Sequence, residues 1–475
     1  MATRAEQDYR VEKDSMGEMR VPAGAYYGAS SERARQNFPI SGRGFPRQFI
    51  SALGLIKKSA AEVNRELGLL SAEHSAAIVQ AAQEVVDGKL DAHFVIDVYQ
   101  TGSGTSTNTN ANEVIANRAS EIMGGPIGPG RLIHPNDQVN LCQSSNDVIP
   151  SALQVAVALE IHAVLRPGLE RLRGALAAKS EEFWPLVKTG RTHLQDATPV
   201  RLGQEFLGYA GQLEESQRRG KQALDELLSL PIGGTAVGTG INAHPEFGAR
   251  AAAKLAEATG LKFHETSNHF HAQATLDALV AAHGLLRTIG VSLWKIASDI
   301  RLMGMGPTAG LFELRLPETQ PGSSIMPGKV NPVIVESLTM AVARVLGNDV
   351  TVTLAGQSGS FFELNVMMPV AAVTALESVT LLGNSAANFA ERCVEGLEAT
   401  DRGPALLEKN PILATALNPL IGYDESAKIA KEAFKTGRTI RELARERGLS
   451  DEQIDSVLDP GAMTKPGLEG PGGGG

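Results

Sequence analysis

Residues 322 to 332 read Gly-Ser-Ser-Ile-Met-Pro-Gly-Lys-Val-Asn-Pro and hold the densest set of reactive residue types in the chain. Ser323 and Ser324 bring hydroxyls, Lys329 a fixed positive charge, and Pro327-Gly328 a turn on which the segment can hinge. Asn331 followed by Pro332 has the pattern of a helix N-cap with proline at the first helical position. Nothing from Val333 to Leu346 breaks a helix, so one is expected there. Its free N–H groups and positive dipole end would aim back at Lys329. Hydroxyls, an ammonium and a helix start on a glycine-flanked loop make an anion site that can move.

Further stretches along the chain carry polar chemistry. Residues 101 to 113, Thr-Gly-Ser-Gly-Thr-Ser-Thr-Asn-Thr-Asn-Ala-Asn-Glu, are small and polar and are expected to form a binding loop between two helices. Glycines there let backbone approach a ligand, and Ser103, Thr105 and Thr107 offer hydroxyls. His134, Asn136, Ser144, Ser145 and Asn146 carry donors at 134 to 140 and 144 to 150. Asp137 and Asp147 are suited to orienting backbone or capping, and Pro150 is expected in the first turn of the next helix. His193 sits in the polar stretch 189 to 200 with Arg191 and Asp196 near, and 233 to 242 is a second glycine-rich connection. His264, His269 and His271 superficially resemble a metal cluster, but without matching carboxylate or cysteine spacing no metal is expected there.

These loops must be positioned by long helices. Apolar residues recur at helical spacing from Pro46 to Leu67 and from Ser71 to Asp87. The stretches Ser151 to Phe183, Gln204 to Leu228, His271 to Met303 and Pro369 to Arg392 are long, rich in alanine and leucine, and poor in charge. A helix apolar round most of its girth must be buried on several sides, and one chain offers too few neighbours. A helical bundle completed by other subunits, most simply a symmetric tetramer, is therefore expected. Residues before about 45 are expected to be irregular. The last part, from about 401, reads as short helices with capping boxes at Thr439–Glu442 and Ser450–Gln453, and the glycine-rich end after Lys465 is expected to lack fixed structure.

With 475 residues the chain has length for two or three domains. We divide it at 1–142, mostly helical; 143–400, the long-helix bundle; and 401–475, a small helical unit. A net charge of -9 without a basic cluster argues against a nucleic-acid partner. No run of about 18 uninterrupted apolar residues suggests a membrane span. The two cysteines show no metal spacing, and the N-terminus has neither an apolar leader core nor transit-peptide composition. A reducing, cytoplasmic setting is expected.

Taken together the motifs resemble the aspartase/fumarase superfamily, and within it the class II fumarases. The resemblance runs from about Tyr9 to Asp459. It rests on the 322–332 segment, on 101–114, on His-Pro-Asn-Asp at 134 and Ser-Ser-Asn-Asp at 144, on 190–199, on 233–240 and on Phe-Glu-Leu-Asn-Val at 362. It implies a mainly α, three-domain fold with a central long-helix bundle that assembles into a homotetramer, with active sites shared by three subunits. The implied reaction is reversible hydration of fumarate to (S)-malate without metal or cofactor. By resemblance Ser323 is the base at C3, His193 stands beside the reacting water, and Glu336 is its acidic partner. Ser103, Gly104, Thr105, Ser144, Ser145, Asn146, Thr192, Ser324, Lys329, Val330 and Asn331 contact substrate. Arg131, His134, Pro135, Asn136 and Asp137 match a second carboxylate site. The sequence departs from relatives at Thr308, after Gly306-Pro307, and at His269 and His271. The rival activity is ammonia elimination from aspartate; aspartases typically carry glutamine at position 193 and alanine at 328, and the Ala-Tyr-Tyr-Gly at 25 looks somewhat aspartase-like. A catalytically silent, crystallin-like role is the other alternative.

Overall fold

The computed structural model describes residues 8–466; the glycine-rich end, from residue 467, lies outside them. The chain opens on a hairpin, β1 (Tyr9–Asp14) and β2 (Gly17–Pro22), followed by α1 (Ala29–Asn37), α2 (Arg47–Glu66), α3 (Ala72–Val86) and α4 (Thr105–Ile122). Next come α5 (Ser145–Glu160), joined by a π-helical turn to α6 (Arg166–Glu182), then strands β3 (Val187–Thr192) and β4 (Gln195–Arg201) and helix α7 (Leu202–Glu226). The helices α8 (Phe247–Thr259), α9 (His269–Ala274), α10 (Asp277–Met303), α11 (Val333–Gly359) and α12 (Met368–Arg392) complete the long-helix region. The last five α-helices among the described residues are α13 (Arg402–Leu407), α14 (Asn418–Ile421), α15 (Tyr423–Thr436), α16 (Ile440–Glu446) and α17 (Asp451–Val457).

The chain forms two compact units, each drawn from three segments. The first comprises residues up to Arg166, Arg218–Gly290 and Ala343–Gly383. Its α2 buries Phe49, Leu53, Ile56, Ala60 and Val63, a helical stripe, and packs on α3, α5 and α8. Ser71 caps α3 by accepting the His74 N–H at 3.1 Å. The second unit comprises Pro167–Gln217, Val291–Val342 and the chain from Asn384. Its short C-terminal helices enclose their own core of Leu407, Leu417, Ile429, Ile440, Leu443 and Ile454, and both expected capping boxes form, at Thr439 and Ser450.

Residues 9 to 37, expected to be irregular, form a hairpin and α1: β1 and β2 pair from Tyr9↔Pro22 to Asp14↔Gly17, and Asp14 accepts the Met16 N–H to close the turn. The polar stretch from 105 onward is a helix, not a loop. Two of its buried asparagines are satisfied by backbone from elsewhere in the unit: Asn110 bonds His93 O and Val95 N, and Asn117 bonds Tyr26 O and Gly128 N. The helix expected from His271 is broken, since Thr275 is extended and Asp277 opens the first turn of α10. Pro150 lies inside α5, because that helix starts earlier, at Ser145. Among the described residues two stretches, Ser145–Glu182 and Met368–Gly396, are long and apolar enough to cross a bilayer, but most of the apolar part of each is buried within the protein, as core helices are.

Candidate active site

In the first unit the polar loops converge on the start of α5. Ser103 Oγ lies 2.7 Å from Thr105 Oγ1, which lies 2.8 Å from Ser145 Oγ, which reaches Asn146 Oδ1 at 3.3 Å. Asn146 Nδ2 donates to Ala236 O at 2.8 Å, tying in the glycine-rich connection. The loop before α4 is pinned because Gly102 presses on backbone: a Cβ there would sit 1.7 Å from Val366 O, so only glycine fits. Gly104 is the N-cap of α4, and Thr105 its first residue.

Ser144 and Asp147 form a capping box at the head of α5. Asp147 is fully buried; one oxygen accepts from Ser144 N at 2.9 Å and the other from Gly233 N at 3.1 Å and Thr235 N at 3.0 Å. Burial pushes its carboxyl above the usual range, against the pull of these N–H groups. The donors of Ser144, Ser145 and Asn146 are thus presented on a helix N-terminus, the place where an anion is best received. A cavity of about 480 Å³ is lined by Asn136, Asp137, Asn140, Ser144, Thr235 and Asn242, among others.

The residues assigned by resemblance to a second carboxylate site are divided. Arg131 turns to the buried Glu12 at 2.8 Å and to Asn117 Oδ1 at 3.2 Å. His134 begins a π-helical turn, Pro135–Val139, its Nδ1 accepting the Asp137 N–H, and His134, Asn136 and Asp137 are exposed. Among the described residues no group of three or more His, Cys, Asp and Glu could hold a metal ion. His269 and His271 do have carboxylate neighbours, which sequence spacing missed: Glu265 at 3.2 Å and Asp277 at 3.0 Å.

In the second unit His193 is not in a loop between helices but at the tip of the β3–β4 hairpin. Thr192 pairs with Gln195, leaving His193 and Leu194 as a two-residue turn at φ 54 and 61. Beneath the tip, Arg191 forks onto Glu313 at 3.0 and 2.6 Å, while Lys188 bonds Glu205 at 3.0 Å and Glu313 at 2.9 Å. Asn410 donates to Thr189 Oγ1 and Ala197 O, fastening both strands. His193 and Glu336 are exposed, and no hydrogen bond joins them within the chain.

The 322–332 segment is a closed loop with an exposed crown. Asn331 Nδ2 donates to Gly322 O at 2.6 Å, and a Cβ on Gly322 would fall 2.0 Å from Lys329 O. Asn331 therefore closes the loop instead of capping α11. The first helical carbonyl used is that of Pro332, which accepts from Glu336 N at 3.0 Å. The Val333 N–H, which a side-chain cap at Asn331 could have taken, donates to the Asn331 main-chain carbonyl at 2.9 Å. Ser323 Oγ accepts the N–H groups of Ile325 at 3.3 Å and Met326 at 3.1 Å. Ser324 and Lys329 are exposed, and Val330 is half-buried.

A family model described as lyase matches residues 17–347, and one described as fumarase C C-terminus matches 413–465. The chain belongs to the class II fumarase family. It is 50% identical over 466 residues to the mitochondrial fumarate hydratase of Rattus norvegicus, covering 97% of this chain and 92% of that protein. Identity to the class II fumarate hydratase of Halobacterium salinarum is 52% over 464 residues, 97% of this chain and 98% of the relative. The crystal structure of class II fumarase from Schistosoma mansoni superposes with a TM-score of 0.93 at 39% identity, covering 96% of this chain and 99% of that one. A fumarate lyase:delta crystallin from Brucella melitensis bound to cobalt gives 0.93 at 44% identity, covering 97% and 100%.

Proposed function

We infer that the protein interconverts fumarate and (S)-malate, as a homotetramer whose active sites are each shared by three subunits. The observation that carries this is Ser323, its Oγ already receiving two backbone N–H groups within a loop bearing Lys329, in a chain of the class II fumarase family. A serine hydroxyl is a poor base until its alkoxide is stabilised, and two N–H donors with an ammonium supply that. In the malate direction the Ser323 alkoxide takes the C3 proton, and the electron pair moves into the neighbouring carboxylate as an aci-carboxylate. Preorganised donors and Lys329 hold that charge. The pair then returns to form the C2–C3 double bond as the C2 hydroxyl leaves as water, its proton coming from the side of His193 and Glu336. Ser103, Gly104, Thr105, Ser144, Ser145, Asn146, Thr192, Ser324, Val330 and Asn331 fix the dicarboxylate; Arg131, His134, Pro135, Asn136 and Asp137 serve a second carboxylate site.

Apolar side chains left exposed along the long helices, among them Val291, Met340, Val350 and Leu354, support an assembly that covers them. The separate C-terminal core supports the small third domain from 401. The free, buried Cys142 and Cys393 support a reducing, cytoplasmic setting. Following fumarate by its ultraviolet absorbance, with malate and then aspartate offered, tests the reading. Fumarate formed from malate alone is expected; fumarate from aspartate alone would make the protein an ammonia-lyase, and none from either would leave an inert scaffold.

A further inference from the structure

Lys57, on α2, has no part in the chemistry above, yet it is a lysine with 0% of its surface exposed. Its Nζ donates to Asn140 Oδ1 at 2.8 Å and to Gln143 Oε1 at 3.0 Å, and among the described residues no carboxylate lies within ion-pair distance of it. An ammonium buried against neutral acceptors is costly and persists only where the surroundings demand it. Both acceptors lie on the stretch that leads into Ser144. Asn140 Nδ2 in turn donates to Gln143 O, Gln143 Nε2 donates to Val139 O and Leu141 O, and Asn64 of the same helix donates to Leu141 O. Within this stretch Cys142 stands at φ 63, a left-handed conformation that a side-chain-bearing residue adopts only when held. The backbone just before the substrate donors is thus wrapped around one ammonium.

We propose that Lys57 is a positioning residue of the substrate loop, shaping 140–144 so that Ser144, Ser145 and Asn146 meet the dicarboxylate, and that its ammonium is a buried cation whose missing counter-charge arrives with that dianion. This rests on the reading of those three residues as substrate ligands. The groups that face Lys57 fit this role. From α5 the only charge acting on it is Asp147, whose two oxygens are taken by backbone N–H groups. On the gripped stretch the Cys142 thiol is pushed up by burial and stays neutral, and α4 contributes Asn108, hydrogen-bonded to Asn140. Burial lowers the ammonium to about 7, with Asp147 opposing that shift. A bound dianion favours the protonated form, so affinity is full below about 7 and falls as the pH rises through it.

The test is kcat and KM for malate from about pH 6 to about pH 9, in wild type, Lys57→Met and Asn140→Asp. Wild-type KM is expected to climb by up to about tenfold per pH unit above about 7 while kcat moves less. Lys57→Met should show a high KM with no such climb. Asn140→Asp sets a carboxylate against the ammonium and should move the climb upward by about one pH unit or more. A folded Lys57→Met with wild-type KM at every pH overturns the proposal. So does Asn140→Asp with the climb unmoved, which keeps the test open if the methionine variant does not fold. Wild type without turnover on malate removes the hydratase reading itself, and the positioning role with it.

Discussion

Ser323 illustrates how much a single side chain depends on its immediate backbone. Its Oγ accepts from two consecutive N–H groups inside its own loop, so the stabilisation of an alkoxide is built in before any substrate arrives. Ser323→Ala removes the base and leaves these N–H groups facing a methyl. Turnover is expected to fall by about a thousandfold, on the order of 4 kcal/mol in the barrier, with the fold unchanged by circular dichroism; near-normal turnover would remove Ser323 from the role of base. At this scale the sequence was informative wherever the chemistry is local. The Ser144–Asp147 cap and the two C-terminal capping boxes are set by residues three apart and form as their spacing suggests, whereas Asn331, expected to cap α11, closes the serine loop instead. Lys57 was not visible, because nothing in the sequence separates it from Lys58 beside it: one is sealed inside and the other reaches Gln83. That difference comes from the rotation of α2 against its neighbours.

The elements that carry the site show where pattern reading stops. The β3–β4 hairpin hides in sequence because its turn residues are His193 and Leu194, neither of which signals a two-residue turn with positive φ. What imposes the turn is charge beneath it. Lys188 and Arg191, both on β3, meet Glu205 and Glu313 in a cluster of two cations and two carboxylates, with Lys188 and Glu313 each 2% exposed. Glu313→Gln keeps the shape but leaves the cations short of one negative charge, a loss of about 3 kcal/mol for a buried pair broken on one side. The variant is expected to unfold at lower denaturant and to lose kcat more than affinity, as the hairpin tip bearing His193 loosens. Wild-type kcat together with wild-type stability would show that the cluster does not hold the tip. Helix α4 makes the same point in reverse. Its polar residues read as a loop, and two of its buried asparagines, Asn110 and Asn117, sit in a helix with distant backbone atoms completing their hydrogen bonds.

Across the whole molecule the chain gathers segments far apart in sequence into each of two compact units, an arrangement that composition read along the chain does not reveal. Ser323 and His193 both belong to the second unit, on separate elements, a loop and a hairpin tip. If each active site draws its serine and its histidine from different subunits, two inactive variants should rescue one another. Ser323→Ala contributes an intact His193, and His193→Asn contributes an intact Ser323. Each alone is expected to be nearly inactive, since neither assembly contains a complete set. Unfolded together in equal amounts and refolded, they form mixed tetramers at random. A site then needs its serine from one kind of subunit and its histidine from the other, each with an even chance, so about a quarter of wild-type turnover should return. Were both residues supplied by the same chain, no mixed site could be complete and turnover would stay at the level of the separate variants. Refolding each variant by itself controls for gains from refolding, and dilution to the monomer should abolish whatever the mixture regained.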